Sequence, residues 1–358
     1  MIDGVALVYC DRMFETIWGK TAHGLVRFTR RYDVFGVIDS SCANQDALEL
    51  LDGKKSGILI YKDIDSALEA AKKEGKKVEY LVFGGATDGG FLPKEMYKDL
   101  LYALELGLNV DCGLHFFLSE DPKMVEAANK SGAKIRDIRK TGAPHTLHGY
   151  TGKIREVKSF KIAILGTDSS VGKRTTAWRL IDAFEKRGIK TELIGTGQTA
   201  WLQGARYGVR MDALVNDFVA GEIENSVIEA WNNEKPEVMI IEGQGSMLNP
   251  IYPGGFEIVA ASSPDVIVLQ HAPNRVDYDG IVGTKIHPLK VQIEAIELIS
   301  SKKVVAITLN KENLSIDELE KVKKEIEKES GLITKEGLVD NLDPIVDILL
   351  AKKSELKK

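Results

Sequence analysis

Gly166-Thr167-Asp168-Ser-Ser-Val-Gly172-Lys173-Arg174-Thr175-Thr176 follows the apolar run Lys161-Ile-Ala-Ile-Leu165 and leads into Thr175–Arg187, where apolar residues recur at helical spacing until Gly188. A buried strand, a glycine turn and a helix in that order form a phosphate-binding loop. Amides at the turn, the positive helix end and one lysine converge on a polyanion. The stretch therefore predicts a parallel α/β sheet here, with a phosphorylated cofactor held by Gly166, Thr167, Asp168, Gly172, Lys173, Arg174, Thr175 and Thr176. Two departures from the strict Gly-x4-Gly-Lys-Ser/Thr pattern matter. The first glycine lies one residue early, and Arg174 stands where a magnesium-binding hydroxyl is expected. An arginine cannot ligate a cation, so the loop reads as one that binds phosphate without hydrolysing it. Thr175 takes the hydroxyl role if the helix starts one residue late.

A chain of 358 residues exceeds what one core usually holds, which predicts two domains. The formal charge is −5, from 48 basic and 53 acidic residues, which argues against a dedicated nucleic-acid binder and for small-molecule substrates. Cys10, Cys42 and Cys112 lack the paired spacing of a zinc site or redox dithiol, and a reducing cytoplasm is expected. Without an apolar run long enough to span a bilayer, no membrane association is expected. A homo-oligomer is expected.

Around the loop, apolar runs alternate with helix-like stretches. Before it come Val34–Ile38, Gly57–Tyr61, Asp65–Lys73, Tyr80–Phe83, Lys94–Leu106, Asn109–Cys112 and Lys123–Ser131; after it, strands are predicted near 161–165, 191–194, 237–241, 265–269 and 303–308. This rhythm predicts two doubly wound parallel sheets. The N-terminal domain, 1–150, is Rossmann-like, and 151–358 is a P-loop NTPase-like domain. The stretch Arg136–Ser159 reads as their connection, with His145 and His148 in a solvated loop. Ligands bind at the carboxyl ends of such strands. In the first domain that edge holds Asp39-Ser-Ser-Cys42 and Gly84-Gly-Ala-Thr-Asp-Gly-Gly90.

Three further clusters lie at strand ends of the second domain. In Val238-Met-Ile-Ile-Glu242-Gly-Gln244-Gly-Ser246, a buried strand delivers Glu242 to the cleft, with Gln244 and Ser246 as hydrogen-bonding groups. In Gln270-His271-Ala-Pro-Asn274-Arg275-Val-Asp277-Tyr278-Asp279, His271 is a candidate general base and Arg275 a candidate anion ligand. In Gly195-Thr-Gly-Gln198-Thr199-Ala-Trp201-Leu-Gln203-Gly-Ala-Arg206-Tyr-Gly-Val-Arg210, two arginines, amides and a hydroxyl suit a carboxylated or phosphorylated substrate. A fourth element, Thr308-Leu-Asn310-Lys311-Glu312-Asn313, lacks the final aspartate of a guanine-binding motif.

The run Gly166–Lys173 and the Glu242-Gly-x-Gly turn resemble those of dethiobiotin synthetase, an ATP-dependent enzyme that activates a carboxylate. A resemblance covering the whole chain is to the D-glutamate N-acetyltransferase family. It is carried by Gly84–Gly90, Gly166–Thr176, Gly197-Gln198-Thr199, Glu242–Ser246 and His271-Ala-Pro-x-Arg275. That resemblance implies acetyl transfer from acetyl-CoA to the amine of D-glutamate or a similar acidic amino acid. Under it, the phosphate loop anchors the cofactor and Arg206, Arg210 or Arg275 clamps the substrate, assisted by Gln198, Thr199, Gln244 and Ser246. His271 or Glu242 removes the ammonium proton, and amides near Gly243–Gly245 face the oxyanion. The alternatives are a ligase using ATP or GTP with magnesium on Thr175 and Glu242, and a nucleotide-binding regulatory protein.

Overall fold

The computed structural model describes residues 2–356 and separates into two compact units, the chain up to Gly142 together with Gln198–Gly204, and Ala143–Gly197 together with Ala205 onward. The first unit carries β1 (Gly4–Tyr9), β2 (Tyr32–Ile38), β3 (Leu59–Tyr61), β4 (Tyr80–Phe83), β5 (Asn109–Cys112) and β6 (Ile135–Asp137). They form one parallel sheet in the order β3-β2-β1-β4-β5-β6. Sequence periodicity alone missed two of these strands. β6 is half-buried throughout and shows no apolar alternation, whereas β1 is a largely buried apolar run that was legible and left unread.

The loops at the carboxyl edge of this sheet are filled by protein groups. Asp39, fully buried, accepts from the amides of Met13 at 3.1 Å, Phe14 at 2.9 Å and Ser41 at 2.8 Å. At Gly84 a Cβ would come within 2.6 Å of Val8 and 2.8 Å of Ala22, so this glycine serves close packing. Gln198–Gly204, read from sequence as part of the second domain, clusters with the first unit. The Thr199 hydroxyl lies 3.0 Å from that of Thr21, and Gln203 Nε2 donates to Gly24 O and Phe28 O, both at 2.8 Å.

The second unit contains β7 (Phe160–Gly166), β8 (Thr191–Gly195), β9 (Tyr207–Gly208), β10 (Val238–Glu242), β11 (Val266–His271), β12 (Val304–Leu309) and β13 (Thr334–Glu336). All pair in parallel, in the order β13-β12-β11-β7-β10-β8-β9. Every residue of β7, β8, β10 and β12 is buried, which is why these strands read as near-continuous apolar runs. β7 lies between β10 and β11; the chain runs from β7 to β8 on one side and from β10 crosses to β11 on the other, and this reversal opens a crevice at the carboxyl end of β7. Register brings Glu242 beside Ile164 and Gln270 beside Gly166, so the predicted groups share that edge. After β9 the chain makes a short turn, Met211–Ala213, and then the helix Asn216–Glu234.

Candidate phosphate-binding site

The loop between β7 and the helix Lys173–Lys186 turns on Gly172, whose φ of 109° suits glycine and is strained for any residue with a Cβ. The helix buries Ala177, Trp178, Leu180, Ile181 and Phe184, which fixes its amino end over the strand edge. The amides of Ser170, Val171 and Gly172 meet no acceptor among the described residues. Together with the first-turn amides of the helix, they form a run of unpaired donors, as an anion nest requires.

Lys173 is buried beneath this nest. Its ammonium donates to the carbonyls of Asp168 at 2.7 Å and Gly245 at 2.8 Å, which leaves one of its three protons for a ligand. Burial pushes its pKa down to about 8 against the pull of Asp168 and Glu242. The second loop must approach closely for this contact. A Cβ at Gly243 would stand 2.1 Å from Ile164 O and 2.8 Å from Lys173 Cδ.

Asp168 ties the loop to its surroundings. Fully buried, it accepts from the Ser169 amide at 2.7 Å, Asn249 Nδ2 at 2.7 Å, the Asp279 amide at 2.8 Å and Arg275 Nη1 at 2.9 Å. Arg275 also pairs with Glu312, and this double neutralisation makes it a brace of the loop in the structure described. Thr176 is committed too, donating to Gln270 Oε1 at 2.5 Å, an atom that also accepts from Thr308 at 2.6 Å. The Thr175 hydroxyl has no partner among the described residues.

Glu242, at the end of β10, accepts from the Thr196 amide at 2.8 Å. Burial raises its carboxyl pKa, and the largest counterweight is the positive charge of Arg174, followed by the Thr196 amide and Lys173. The arginine that replaces the metal-binding hydroxyl thus acts on the carboxylate that an ion would otherwise face. His271 sits across the loop, with Nδ1 2.9 Å from the Thr167 hydroxyl. Burial, then Arg275, pushes its pKa down to about 4, so the imidazole is neutral.

The remaining predicted residues fall in different places. Ser246 Oγ accepts from the Asn249 amide at 3.0 Å and shapes the glycine turn. Gln244 lies by Gly197, where a Cβ would be 3.7 Å from its Nε2. Arg210 follows β9 at the carboxyl edge. Arg206 does not reach that edge. It pairs with Glu192, the second residue of β8, and with Glu234 at 2.7 Å, the last residue of the helix leading to β10. Both partners lie toward the amino ends of the strands. Gln198 and Thr199 pack within the first unit, the former against Gly113, where a Cβ would be 2.8 Å from its Cγ. His148 Nδ1 is 2.8 Å from Glu222, and no three His, Cys, Asp or Glu residues assemble as a metal site among the described residues.

Two family models match this architecture. Residues 148–346 match the P-loop domain described as "Domain of unknown function (DUF1611_C)", and residues 40–141 match its Rossmann-like partner, DUF1611_N. The chain belongs to the DUF1611 family. A DUF1611 crystal structure from Anabaena variabilis superposes with a TM-score of 0.88 at 28% identity, covering 97% of this chain and 99% of that one. Two relatives carry the name D-glutamate N-acetyltransferase. The one from Tritonibacter scottomollicae is 31% identical over 293 residues, 80% of this chain and 85% of its own. The one from Pseudoalteromonas sp. is 31% identical over 288 residues, 78% and 83% respectively. Among the described residues of this DUF1611 protein, no helix is long and apolar enough to cross a membrane.

Sequence reasoning missed Asn249, Thr196 and Gln292 as site-forming groups. Each is a neutral side chain whose role depends on contacts far away in the chain, as when Gln292 Nε2 reaches Thr167 O at 3.2 Å across 125 residues. The Asn249-Pro250 pair after a glycine turn was the one local sign available.

Proposed function

We propose that this protein is an N-acetyltransferase that moves acetyl from acetyl-CoA to the amine of D-glutamate or a similar acidic amino acid. The observation that carries this reading is the pairing of an open anion nest with a cationic side chain, Arg174, in the place of a metal-binding hydroxyl. Such a site suits a pyrophosphate that stays intact, and the names of the two relatives point to the same chemistry. Ser170, Val171 and Gly172 would hold the pyrophosphate by their amides, and Lys173 by its remaining proton. When bound, acetyl-CoA supplies an acyl thioester. Glu242 is the base in this reading, because burial raises its carboxyl pKa whereas His271 is held near 4. The amides of Gly243, Gln244 and Gly245 have no acceptor among the described residues and are available to the oxyanion.

The test is thiol release from acetyl-CoA with D-glutamate, run against L-glutamate. Release with the D-isomer is expected, and release with neither overturns the reading. A second reading, an ATP-dependent ligase with magnesium on Thr175 and Glu242, draws on the unpartnered Thr175 hydroxyl. It requires phosphate production that chelation abolishes.

A further inference from the structure

We infer that Arg210 is the specificity-determining residue of this site, binding the side-chain carboxylate of the acceptor. The inference rests on the proposed acyl transfer to an acidic amino acid and names the group that selects it.

Arg210 is half-buried, and its Nε is sealed from solvent with no hydrogen-bond partner. Among the described residues its guanidinium makes no ion pair. The acidic groups whose fields reach it are Glu222 and Asp212. Neither closes to a salt bridge, and Glu222 is already taken by the His148 amide at 2.7 Å and ring at 2.8 Å. Burying a charged donor without a partner is costly, and arginine forks match carboxylates in pairs of hydrogen bonds. Arg275 and Arg206 of this unit, by contrast, each hold two carboxylates.

Position decides which carboxylate Arg210 meets. The Val209 amide donates to Gly195 O at 2.8 Å and the Met211 amide to Thr196 O at 3.2 Å, so Arg210 is clamped beside the end of β8. Thr196 in turn donates to Glu242. In the order β10-β8-β9, Arg210 lies beyond the outer strand and Glu242 two strands inward. Two strand spacings are about 10 Å. Both residues stand at the one carboxyl edge, so an acidic amino acid whose amine meets Glu242 can offer its second carboxylate to Arg210.

The test uses the full chain with Arg210→Ala and Arg210→Lys. Calorimetry measures binding of D-glutamate, D-glutamine and acetyl-CoA, and thiol release is followed in parallel. Expected is a loss of about a hundred-fold in D-glutamate affinity in Arg210→Ala, in the range for removing one partner of a charged pair. The preference for D-glutamate over D-glutamine should vanish, while acetyl-CoA affinity and unfolding temperature hold. Arg210→Lys should recover part of the preference. Undiminished D-glutamate binding or turnover in Arg210→Ala overturns the inference while leaving acyl transfer intact. Loss of acetyl-CoA binding with a lowered melting temperature overturns it in favour of a structural role. Wild-type protein that binds D-glutamate through Arg210 without thiol release sinks the transfer reaction alone, and wild-type protein that does neither sinks both.

Discussion

Arg275 donates to the carboxylate of Asp168 at 2.9 Å, which joins the loop after β11 to the third residue of the phosphate loop. Four donors from four positions end on that one buried carboxylate. Asp168→Ala leaves Asn249 and Arg275 facing an empty site, and breaking a buried pair from one side costs about 3–5 kcal/mol. Denaturant unfolding should show a loss of that size. The double variant Asp168→Ala/Arg275→Met should lose less than the sum of the single changes, because it removes the orphaned charge.

Lys173 should write its own signature on the pH dependence of stability. Its pKa falls from 10.5 to about 8 on folding, so between these values the unfolded chain binds more protons than the native one. Stability from this group therefore rises with pH across that window. Urea unfolding midpoints between pH 8 and 10.5 should climb relative to Lys173→Met, and equal slopes in both proteins would refute the assignment. Binding of a phosphorylated ligand should weaken above pH 8 for the same reason, as the ammonium is lost.

How far the sequence revealed this site depended on the reach of each contact. Gly166, Gly172 and Lys173 form the loop within one strand-turn-helix unit, and local spacing was enough to find them. Glu242 was legible because an apolar run ending in an acid places that acid at a strand end. Thr176 was read as a cofactor ligand, and its commitment to Gln270, 94 residues away, has no local trace. Arg206 and Arg210 lie four residues apart in one glycine-rich stretch, yet the first turns to carboxylates near the amino ends and the second stays at the carboxyl edge. Register, which puts Tyr207 beside Ile194, separates them, and composition carries no register.

Arg174 predicts indifference to magnesium. Thermal shifts produced by CoA or acetyl-CoA should be unchanged by chelation, since the positive charge facing Glu242 belongs to the protein. Arg174→Thr restores a hydroxyl and removes that charge. In this variant ATP binding should become magnesium-dependent and acetyl-CoA binding should weaken by about tenfold, the worth of one charged hydrogen bond. A wild-type CoA shift that disappears on chelation would contradict the role given to Arg174.

Glu242 and His271 divide the acid–base question between them, and pH profiles of variants separate the two. A base must lose its proton before it can take one from the substrate ammonium. Burial raises the pKa of Glu242, so the rate should rise with pH as that carboxyl ionises. His271 is already neutral above about 4, so it adds no limb near the ordinary histidine value. Its imidazole instead meets the Thr167 hydroxyl, a contact an amide can imitate. Glu242→Gln should lower kcat by about 10²–10⁴, the usual contribution of a positioned base, with KM for acetyl-CoA little changed. His271→Asn should lower kcat by about tenfold or less and keep the acidic limb where it was. If the limb survives in Glu242→Gln and vanishes in His271→Asn, the roles are reversed and the histidine is the base.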